Sequence, residues 1–200
     1  GAIYKSTNSG GSWIKMSDTV SGGTGPHYYQ ELVASPHQFD KIFLMNVRAL
    51  VSEDGGKSFY TMKEQNKHSD NHALVFKAKD PNYLLFGCDG GLYESFDNTN
   101  NWKFVNNLPL TQFYKLAVDD ATPFYNIYGG TQDNNTQGGP SRTLKSNGIS
   151  NSDWYVLLGG DGHQPATEPG NPDIVYAQWQ QGNLYRIDKT TGEATYIKPQ

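Results

Sequence analysis

The chain has 200 residues and a formal net charge of −4; hydrophobic and charged residues make up 36% and 18% of it. No apolar run approaches the roughly 18 residues of a membrane-spanning helix, and no cluster of basic residues marks a nucleic-acid site. The single cysteine, Cys88, excludes a disulfide framework and a zinc site built from cysteines. The 22 glycines and 13 tyrosines, set among short apolar segments, are typical of an all-β protein with many short strands.

The first predicted strand, residues 2–4, is followed by a pattern that recurs along the chain. A serine is followed two residues later by Asp or Asn and seven residues later by an aromatic residue, and the first two copies carry Gly at the fifth place. The three serines are spaced 46 and 43 residues apart. The residues that define the copies are Ser6, Asn8, Gly10 and Trp13; Ser52, Asp54, Gly56 and Phe59; and Ser95, Asp97 and Trp102.

This pattern predicts a tight hairpin turn. The Asp or Asn side chain accepts hydrogen bonds from backbone N–H groups, Gly supplies a positive φ, and the aromatic ring packs under the turn. Because local bonding accounts for these residues, we expect them to be structural and not catalytic. Weaker copies follow at residues 146–154 and 185–192. The pattern resembles the Asp-box, or BNR repeat, and its period near 45 residues is typical of four-stranded β-propeller blades.

The predicted strands group into blades, each with strands A (innermost) to D (outermost). We expect a half-blade at residues 1–16 and blades at about 27–62, 72–105, 113–157 and 163–197. The predicted fold is therefore an all-β propeller of four-stranded antiparallel blades with Asp-box hairpins. Four and a half blades leave the sheet faces at both ends uncovered. We therefore expect a fragment of a larger ring, of seven or more blades, completed by the rest of the parent propeller or by partner subunits.

Antiparallel topology sorts the loops onto two faces of the predicted propeller. The D–A and B–C connections share one face, around the mouth of the central channel, whereas the Asp-box hairpins are C–D turns on the other face. Polar and aromatic residues concentrate on the first face, and we expect a ligand to bind there. The candidate ligand-binding residues are Tyr28, Tyr29, Arg48, His68, Asp70, His72, Asp89, Gln112, Asp133, Asp161 and His163.

At these loops the sequence resembles one family more specifically. The motifs are His-x-Asp-x-His-Ala at 68–73, Asp-Gly-Gly-x-Tyr-x-Ser at 89–95, Tyr-Gly-Gly-x-Gln-Asp-Asn at 128–134 and Gly-Gly-Asp-Gly at 159–162. They are similar to large bacterial proteins described as sortilin N-terminal-domain-like or BNR-repeat glycosyl hydrolase-like. The resemblance implies a propeller of seven or more blades, export from the cell and often additional domains. More distantly, the chain is similar to xyloglucanase-type glycoside hydrolases built from paired propellers.

The segment from His68 to His72 invites comparison with a metal site. In an extended strand, Cα atoms four residues apart are about 13 Å from each other, which is too far for one ion with ligand bonds of about 2 Å. Metal binding by His68 and His72 therefore requires a tight turn and is the weaker interpretation. The stronger one is a set of hydrogen bonds through which the imidazoles orient neighbouring loops. The sequence indicates no other cofactor.

Four aspartates, Asp70, Asp89, Asp133 and Asp161, come from successive loops of the same predicted face. Two carboxyl groups about 5–10 Å apart can perform glycoside hydrolysis, but Asp beside Gly is equally a turn-forming pair. The nearby aromatic residues can stack on a ligand or fill the core, and for Tyr114 the core is the expected place.

Two functions remain open from the sequence. The first is an exported binding or scaffold module, extracellular, periplasmic or at the cell surface, whose channel-mouth loops engage a polysaccharide or an extended peptide. The alternative is a glycoside hydrolase that uses a pair of the four loop aspartates. The charge of −4 and the lack of a basic patch disfavour polyanionic ligands and predict no nucleic-acid partner.

Overall fold

The computed structural model describes residues 1–18, 31–108 and 110–199. In these residues the chain forms one two-stranded and four four-stranded antiparallel sheets. Helix in the described residues is limited to two three-residue 3-10 turns, Asn151–Asp153 and Gln180–Gly182. None of the helices in this part of the chain has the length and apolar character needed to cross a membrane. The chain divides into two compact units, Gly1–Leu108 and Pro109–Gln200.

Three sheets make up the first unit, numbered 1 to 3 in chain order. Strands that follow one another in the chain are neighbours in the sheet, so each sheet is a simple up-and-down arrangement. Sheet 1 contains β1 (Ile3–Lys5) and β2 (Ile14–Ser17); sheet 2 contains β3 (Leu32–Ala34), β4 (Ile42–Leu44), β5 (Leu50–Ser52) and β6 (Tyr60–Thr61); sheet 3 contains β7 (Asn71–Lys77), β8 (Asp80–Cys88), β9 (Gly91–Ser95) and β10 (Lys103–Phe104).

The second unit contains sheets 4 and 5, built in the same way. Sheet 4 contains β11 (Lys115–Val118), β12 (Asn126–Gly130), β13 (Thr136–Pro140) and β14 (Tyr155–Leu158); sheet 5 contains β15 (Ala166–Glu168), β16 (Asn171–Trp179), β17 (Asn183–Asp188) and β18 (Glu193–Tyr196).

The predicted all-β fold of four-stranded antiparallel blades is confirmed. One strand, β13, has no counterpart in the sequence prediction, because its Thr-Gln-Gly-Gly-Pro segment has low intrinsic β propensity. Its glycines are explained by packing: a Cβ on Gly138 would lie 2.9 Å from the Tyr128 ring on the neighbouring strand. The start of the blade predicted at about 27–62 lies outside the described residues, and the first described strand of sheet 2, β3, begins at Leu32.

The Ser-x-Asp/Asn hairpins have the same bonding in all three copies. In the second copy, Asp54 Oδ1 accepts from the Ser58 N–H at 3.0 Å, and Ser52 Oγ accepts from the Gly56 N–H at 2.8 Å. The equivalent bonds are Ser12 N–H to Asn8 Oδ1 and Gly10 N–H to Ser6 Oγ in the first copy, and Asn101 N–H to Asp97 Oδ1 and Thr99 N–H to Ser95 Oγ in the third, each 2.8–2.9 Å.

The aromatic residue that ends each hairpin varies in its packing. Trp102 packs edge-on against Phe86, with ring centroids 5.3 Å apart, and its indole N–H donates to the Lys63 carbonyl. Trp13 is 61% exposed, although its ring lies beside the turn, where a Cβ on Gly10 would be 3.8 Å from Trp13 Cζ2.

The main core of the first unit lies between sheets 2 and 3. It consists of apolar side chains from facing strands, chiefly Phe43, Met45, Val51, Leu84 and Phe86. Each such side chain contributes about 1.5–3 kcal/mol when fully buried. This core fixes the ends of β7 and β8, from which the polar loops of the unit emerge.

The interior of the second unit contains a buried polar group among its apolar residues. Asp119, whose side chain is fully buried, accepts from the Asn126 N–H, the Tyr128 hydroxyl and the Lys189 ammonium at 2.7, 2.8 and 3.3 Å. Burial alone would raise the Asp119 pKa, but the hydrogen bonds from Asn126 and Tyr128 outweigh it and lower the pKa to about 2. This network ties sheet 4 to the hairpin between β17 and β18.

Candidate functional site

Antiparallel pairing brings three loops of the first unit to one edge of sheets 2 and 3. We name residues 46–48, 68–71 and 88–91 the first loop cluster. The Asp70 N–H donates to the Val47 carbonyl at 2.7 Å, and the Asp89 N–H donates to the Asp70 carbonyl at 3.2 Å. Gly90 is required for this approach, because a Cβ there would lie 2.5 Å from the His68 side chain.

The titratable side chains of the first loop cluster, together with His72 in β7, bond to one another and to the loops. His72 Nε2 donates to Asp89 Oδ1 at 2.5 Å, and Asp70 Oδ2 accepts from the Ser69 hydroxyl at 2.6 Å. His68 Nδ1 donates to the Ser69 carbonyl and lies 3.9 Å from Asp70 Oδ2. Asp70 has a φ of 62°, so the segment from 68 to 70 turns and is not extended. This turn does not by itself make a metal site, since no group of three His, Cys, Asp or Glu side chains placed to hold one ion among the described residues contains both His68 and His72.

A buried polar network underlies this loop, and sequence reasoning missed it. Lys67 donates to Glu64 Oε1 at 3.3 Å, to the His68 carbonyl at 2.9 Å and to Asn71 Oδ1. The Asn71 amide in turn donates to Glu64 and to the carbonyls of Asn46 and Val47. The spacing Glu-x-x-Lys-x-x-x-Asn is the sequence feature that could have indicated the network. It did not predict burial, because charged side chains in a loop are ordinarily solvated. The network holds the first loop cluster from below.

Lys67 is also surrounded by aromatic rings. Its ammonium lies 4.9, 5.6 and 5.9 Å from the ring centroids of Phe86, Trp102 and Tyr93, distances at which cation–π attraction operates. Burial lowers the Lys67 pKa, although the negative charge of Glu64 opposes the shift. Burial likewise raises the pKa of the nearby Cys88 thiol, which makes it a poor nucleophile.

The second unit has its own group of loops, residues 131–135, 159–163 and 178–182, which we name the second loop cluster. Asp161 Oδ1 accepts from the Asp133 N–H at 2.6 Å, and the Asp161 N–H donates to Gln180 Oε1 at 3.1 Å. Asn135 and Gly160 are joined twice, from the Asn135 N–H to the Gly160 carbonyl and from the Gly160 N–H to Asn135 Oδ1. Asp161 is therefore a link between two loops.

Beside this link lies a partly exposed aromatic surface. The Tyr114 and His163 rings are 5.6 Å apart at an interplanar angle of 44°, and the Tyr114 hydroxyl donates to Gln132 Oε1 at 2.6 Å. Tyr114 is 46% exposed, so its expected place in the core is wrong: its ring turns to the loop side, where Gln132 holds it. Trp179, half-exposed beside Gly160, extends the same cluster.

The remaining predicted site residues are distributed as follows. Arg48 and Gln112 are exposed, the first between β4 and β5 and the second before β11. Tyr28 and Tyr29 lie outside the described residues. Of the four aspartates, Asp70 and Asp89 belong to the first loop cluster, and Asp133 and Asp161 to the second. Sequence analysis did not select Gln132 or Gln180, because glutamines in a loop give no chemical signal without their partners.

The four-stranded antiparallel sheets, with polar loops at one end and Ser-x-Asp/Asn hairpins at the other, define a β-propeller protein. The sequence profile described as "Sortilin, neurotensin receptor 3" matches residues 1–158, and the chain belongs to this Sortilin-Vps10 family. No curated protein matches the chain significantly.

Several solved structures are similar to the chain. The GH74 enzyme of Niastella koreensis is 18% identical, with 98% of this chain and 34% of that chain covered and a TM-score of 0.41. For the GH74 xyloglucanase of Xanthomonas campestris these values are 16%, 86%, 31% and 0.34, and for YCF48 bound to D1 peptide 12%, 98%, 60% and 0.40. The chain covers between 24% and 34% of the length of the GH74 enzymes that it matches.

Proposed function

We propose that the chain is an exported β-propeller binding or scaffold module whose loop clusters engage a polysaccharide or an extended peptide. The observation that carries the proposal is the exposed surface of Tyr114 and His163, with Gln132 bonded to the tyrosine hydroxyl. A partly exposed ring beside amide groups offers a ligand both a stacking face and hydrogen bonds. Sugar rings and peptide side chains both fit this chemistry.

The loops that carry this surface are held in place before any ligand arrives. Asp161 bonds to the Asp133 N–H, Gln180 bonds to the Asp161 N–H, and Asn135 bonds twice to Gly160. A preorganised surface loses less conformational entropy on binding than a mobile one. The bonds of two loop aspartates favour binding over hydrolysis, since Asp89 Oδ1 accepts from His72 and Asp161 Oδ1 accepts from the Asp133 N–H.

The finer assignments belong to the same proposal. We place the protein outside the cytoplasm, extracellular, periplasmic or at the cell surface, on the strength of its family. The module is built from blades at about residues 27–62, 72–105, 113–157 and 163–197. The net charge of −4 favours neutral ligands over polyanions.

A glycan array and an extended-peptide panel, probed with the whole protein, test the proposal. Tyr114→Ala and His163→Ala should each weaken the bound ligand tenfold or more, which is about 1.4 kcal/mol. Tyr196→Ala is the matched control, because Tyr196 is similarly exposed but lies on the outer strand β18. Equal effects of Tyr114→Ala and Tyr196→Ala would contradict the proposed surface.

The hydrolase alternative is tested with the ligands that the array identifies. The hydrolase interpretation would replace the binding module if the protein releases reducing ends from a bound polysaccharide and if substitution of a loop aspartate abolishes that release. The substitutions are Asp70→Asn and Asp89→Asn in the first loop cluster and Asp133→Asn and Asp161→Asn in the second. Binding without turnover supports the module.

A further inference from the structure

The short loop between β16 and β17 contains an unusual backbone conformation. Trp179 ends β16 and pairs with Asn183 at the start of β17, so the turn consists of Gln180–Gly182 alone. Within this turn Gln181 has a φ of 63° and a ψ of 24°, in the left-handed region. Non-glycine residues are uncommon in that region, and those that occur there are enriched in Asn and Asp. A glutamine at this position therefore calls for an explanation.

The turn does not depend on the Gln181 side chain. The Asn183 amide donates to the Gln180 carbonyl at 2.6 Å, and the Lys198 ammonium donates to the Gln181 carbonyl at 2.9 Å. The Gln180 side chain accepts from the Asp161 N–H. The Gln181 side chain is exposed, and none of the described residues forms a hydrogen bond with it. Since glycine adopts a positive φ without strain, the backbone would form the same turn with glycine at position 181.

Trp179 is held beside this turn by the neighbouring loop. A Cβ on Gly160 would lie 2.9 Å from Trp179 Cβ and 3.4 Å from Trp179 Cγ, so the Gly160 backbone packs against the base of the indole. Trp179 is nevertheless 36% exposed. An indole that is fixed at its base and open to solvent beyond it offers a ligand an aromatic surface, with little loss of side-chain freedom on binding.

One loop connects Trp179 to the surface formed by Tyr114 and His163. Gly160, which packs against Trp179, lies three residues before His163, and three residues span at most about 11 Å. The His163 ring is 5.6 Å from the Tyr114 ring. The two aromatic surfaces are therefore neighbours in the second unit, and a ligand made of linked rings can contact both.

The side chains of the second loop cluster favour a sugar over a peptide. The cluster contains six Asn or Gln residues, no Lys or Arg, and no Val, Ile, Leu, Met or Phe. Extended peptides are recognised through pockets for alternate side chains, and the cluster provides no aliphatic side chains to line such pockets. A side-chain amide both donates and accepts hydrogen bonds, as each sugar hydroxyl does, and the aromatic rings can cover the apolar face of a sugar ring.

On the basis of the binding function proposed for this surface, we propose that Trp179 and Gln181 form a second subsite for a neutral oligosaccharide. Trp179 stacks on one sugar ring, and the Gln181 amide bonds to its hydroxyl groups. The Tyr114–His163 surface contacts a second ring of the same chain. The strained backbone at Gln181 serves to place its amide beside Trp179, which explains why a glutamine and not a glycine occupies the turn.

A glycan array that carries neutral oligosaccharides in length series, with the extended-peptide panel beside it, tests the ligand class on the whole protein. Neutral oligosaccharides should bind, and the corresponding monosaccharides should bind at least tenfold more weakly, because they cannot contact both subsites. Equal affinity for the two would overturn the paired subsites. Binding of peptides without binding of oligosaccharides would overturn this inference and leave the binding module intact, whereas absence of any ligand would contradict both.

Two variants locate the second subsite. Trp179→Ala should weaken oligosaccharide binding tenfold or more. Gln181→Gly should weaken it severalfold without lowering the melting temperature, because glycine accepts the positive φ and only the amide is lost. Unchanged oligosaccharide binding by either variant, while Tyr114→Ala still weakens it, would overturn the second subsite and not the proposed function. A lower melting temperature of Gln181→Gly would also overturn it, because the glutamine would then serve the fold.

Each variant has a matched control in the first unit. Trp13→Ala removes an exposed tryptophan from the first hairpin copy, and Thr99→Gly replaces a residue with a φ of 74° in the third. Neither should change oligosaccharide binding. If Thr99→Gly weakens binding as much as Gln181→Gly, the loss does not come from the Gln181 amide and the assignment is wrong.

Discussion

The Lys67 ammonium lies 3.3 Å from Glu64 Oε1, and their side chains are 0% and 1% exposed. A charge pair so fully removed from water is stable only as a unit, because each partner compensates the desolvation of the other. This pair lies directly under the loop that carries His68 and Asp70. The geometry of the first loop cluster therefore depends on it.

Removal of one partner of this pair should be far more harmful than removal of both. Lys67→Met should lower the free energy of unfolding by about 3–5 kcal/mol, because it leaves Glu64 buried and uncompensated. The double change Lys67→Met and Glu64→Leu should cost less than Lys67→Met alone. Urea denaturation measures both.

The control for this comparison is Lys77→Met, which removes an exposed ion pair with Asp80. Its expected effect is within about 0.5 kcal/mol. If the double variant is less stable than Lys67→Met, the uncompensated charge of Glu64 is not the cause of the stability lost by Lys67→Met.

The hairpin at Asp54 should tolerate Asn but not Ala. Bonds from the Ser58 hydroxyl and amide and from Ser52 hold the Asp54 pKa far below its usual range, and Asn8 makes the same backbone bond in the first copy. Asp54→Ala should therefore lower the melting temperature by several degrees, and Asp54→Asn by clearly less. Lys57→Ala, an exposed change in the same turn, is the control in thermal unfolding. Ligand binding by the folded fraction should not change; a loss greater than that of Asp70→Asn would contradict a structural role.

Asp161 should behave as a link between loops. Asp161→Ala removes the acceptor of the Asp133 N–H, and the unsatisfied donor should lower the free energy of unfolding by about 1–3 kcal/mol. Asp161→Asn should cost less, because an amide oxygen still accepts. Chemical denaturation gives both values. Unchanged stability together with tenfold weaker ligand binding would instead assign Asp161 to ligand contact.

Acid should destabilise the second unit through Asp119. Its pKa is lowered to about 2 in the folded chain, against about 3.9 in an unfolded one. A carboxyl whose pKa falls on folding adds stability above pH 4, and this is lost as the pH falls towards 2. The difference in unfolding free energy between the wild type and Asp119→Asn should therefore shrink by roughly 2–3 kcal/mol between pH 5 and pH 2. A difference that stays constant over this range would refute the assignment.

The repeats made the fold predictable from the sequence. The hydrogen bonds of the hairpin join residues only two to four positions apart, such as Ser52, Asp54 and Gly56. The same spacing can therefore be recognised in the sequence of every copy. Strands such as β9 and β17 followed from short apolar segments between turns. β13 could not be predicted in this way. Its Gly138 leaves room for the Tyr128 ring, and that ring belongs to the neighbouring strand.

The candidate sites were likewise predictable from the sequence only in part. Their composition was visible in the sequence, since His68, Asp70, Asp89 and Asp161 stand in turn-forming motifs between strands. Their bonding was not, because it joins residues far apart in the chain: His72 to Asp89, Asp133 to Asp161, Tyr114 to Gln132. The sequence alone determined the blades and their hairpins, because the interactions that form them are local. Only the tertiary structure decided that Lys67 is buried and that Tyr114 is exposed, because each depends on which strands and loops pack side by side.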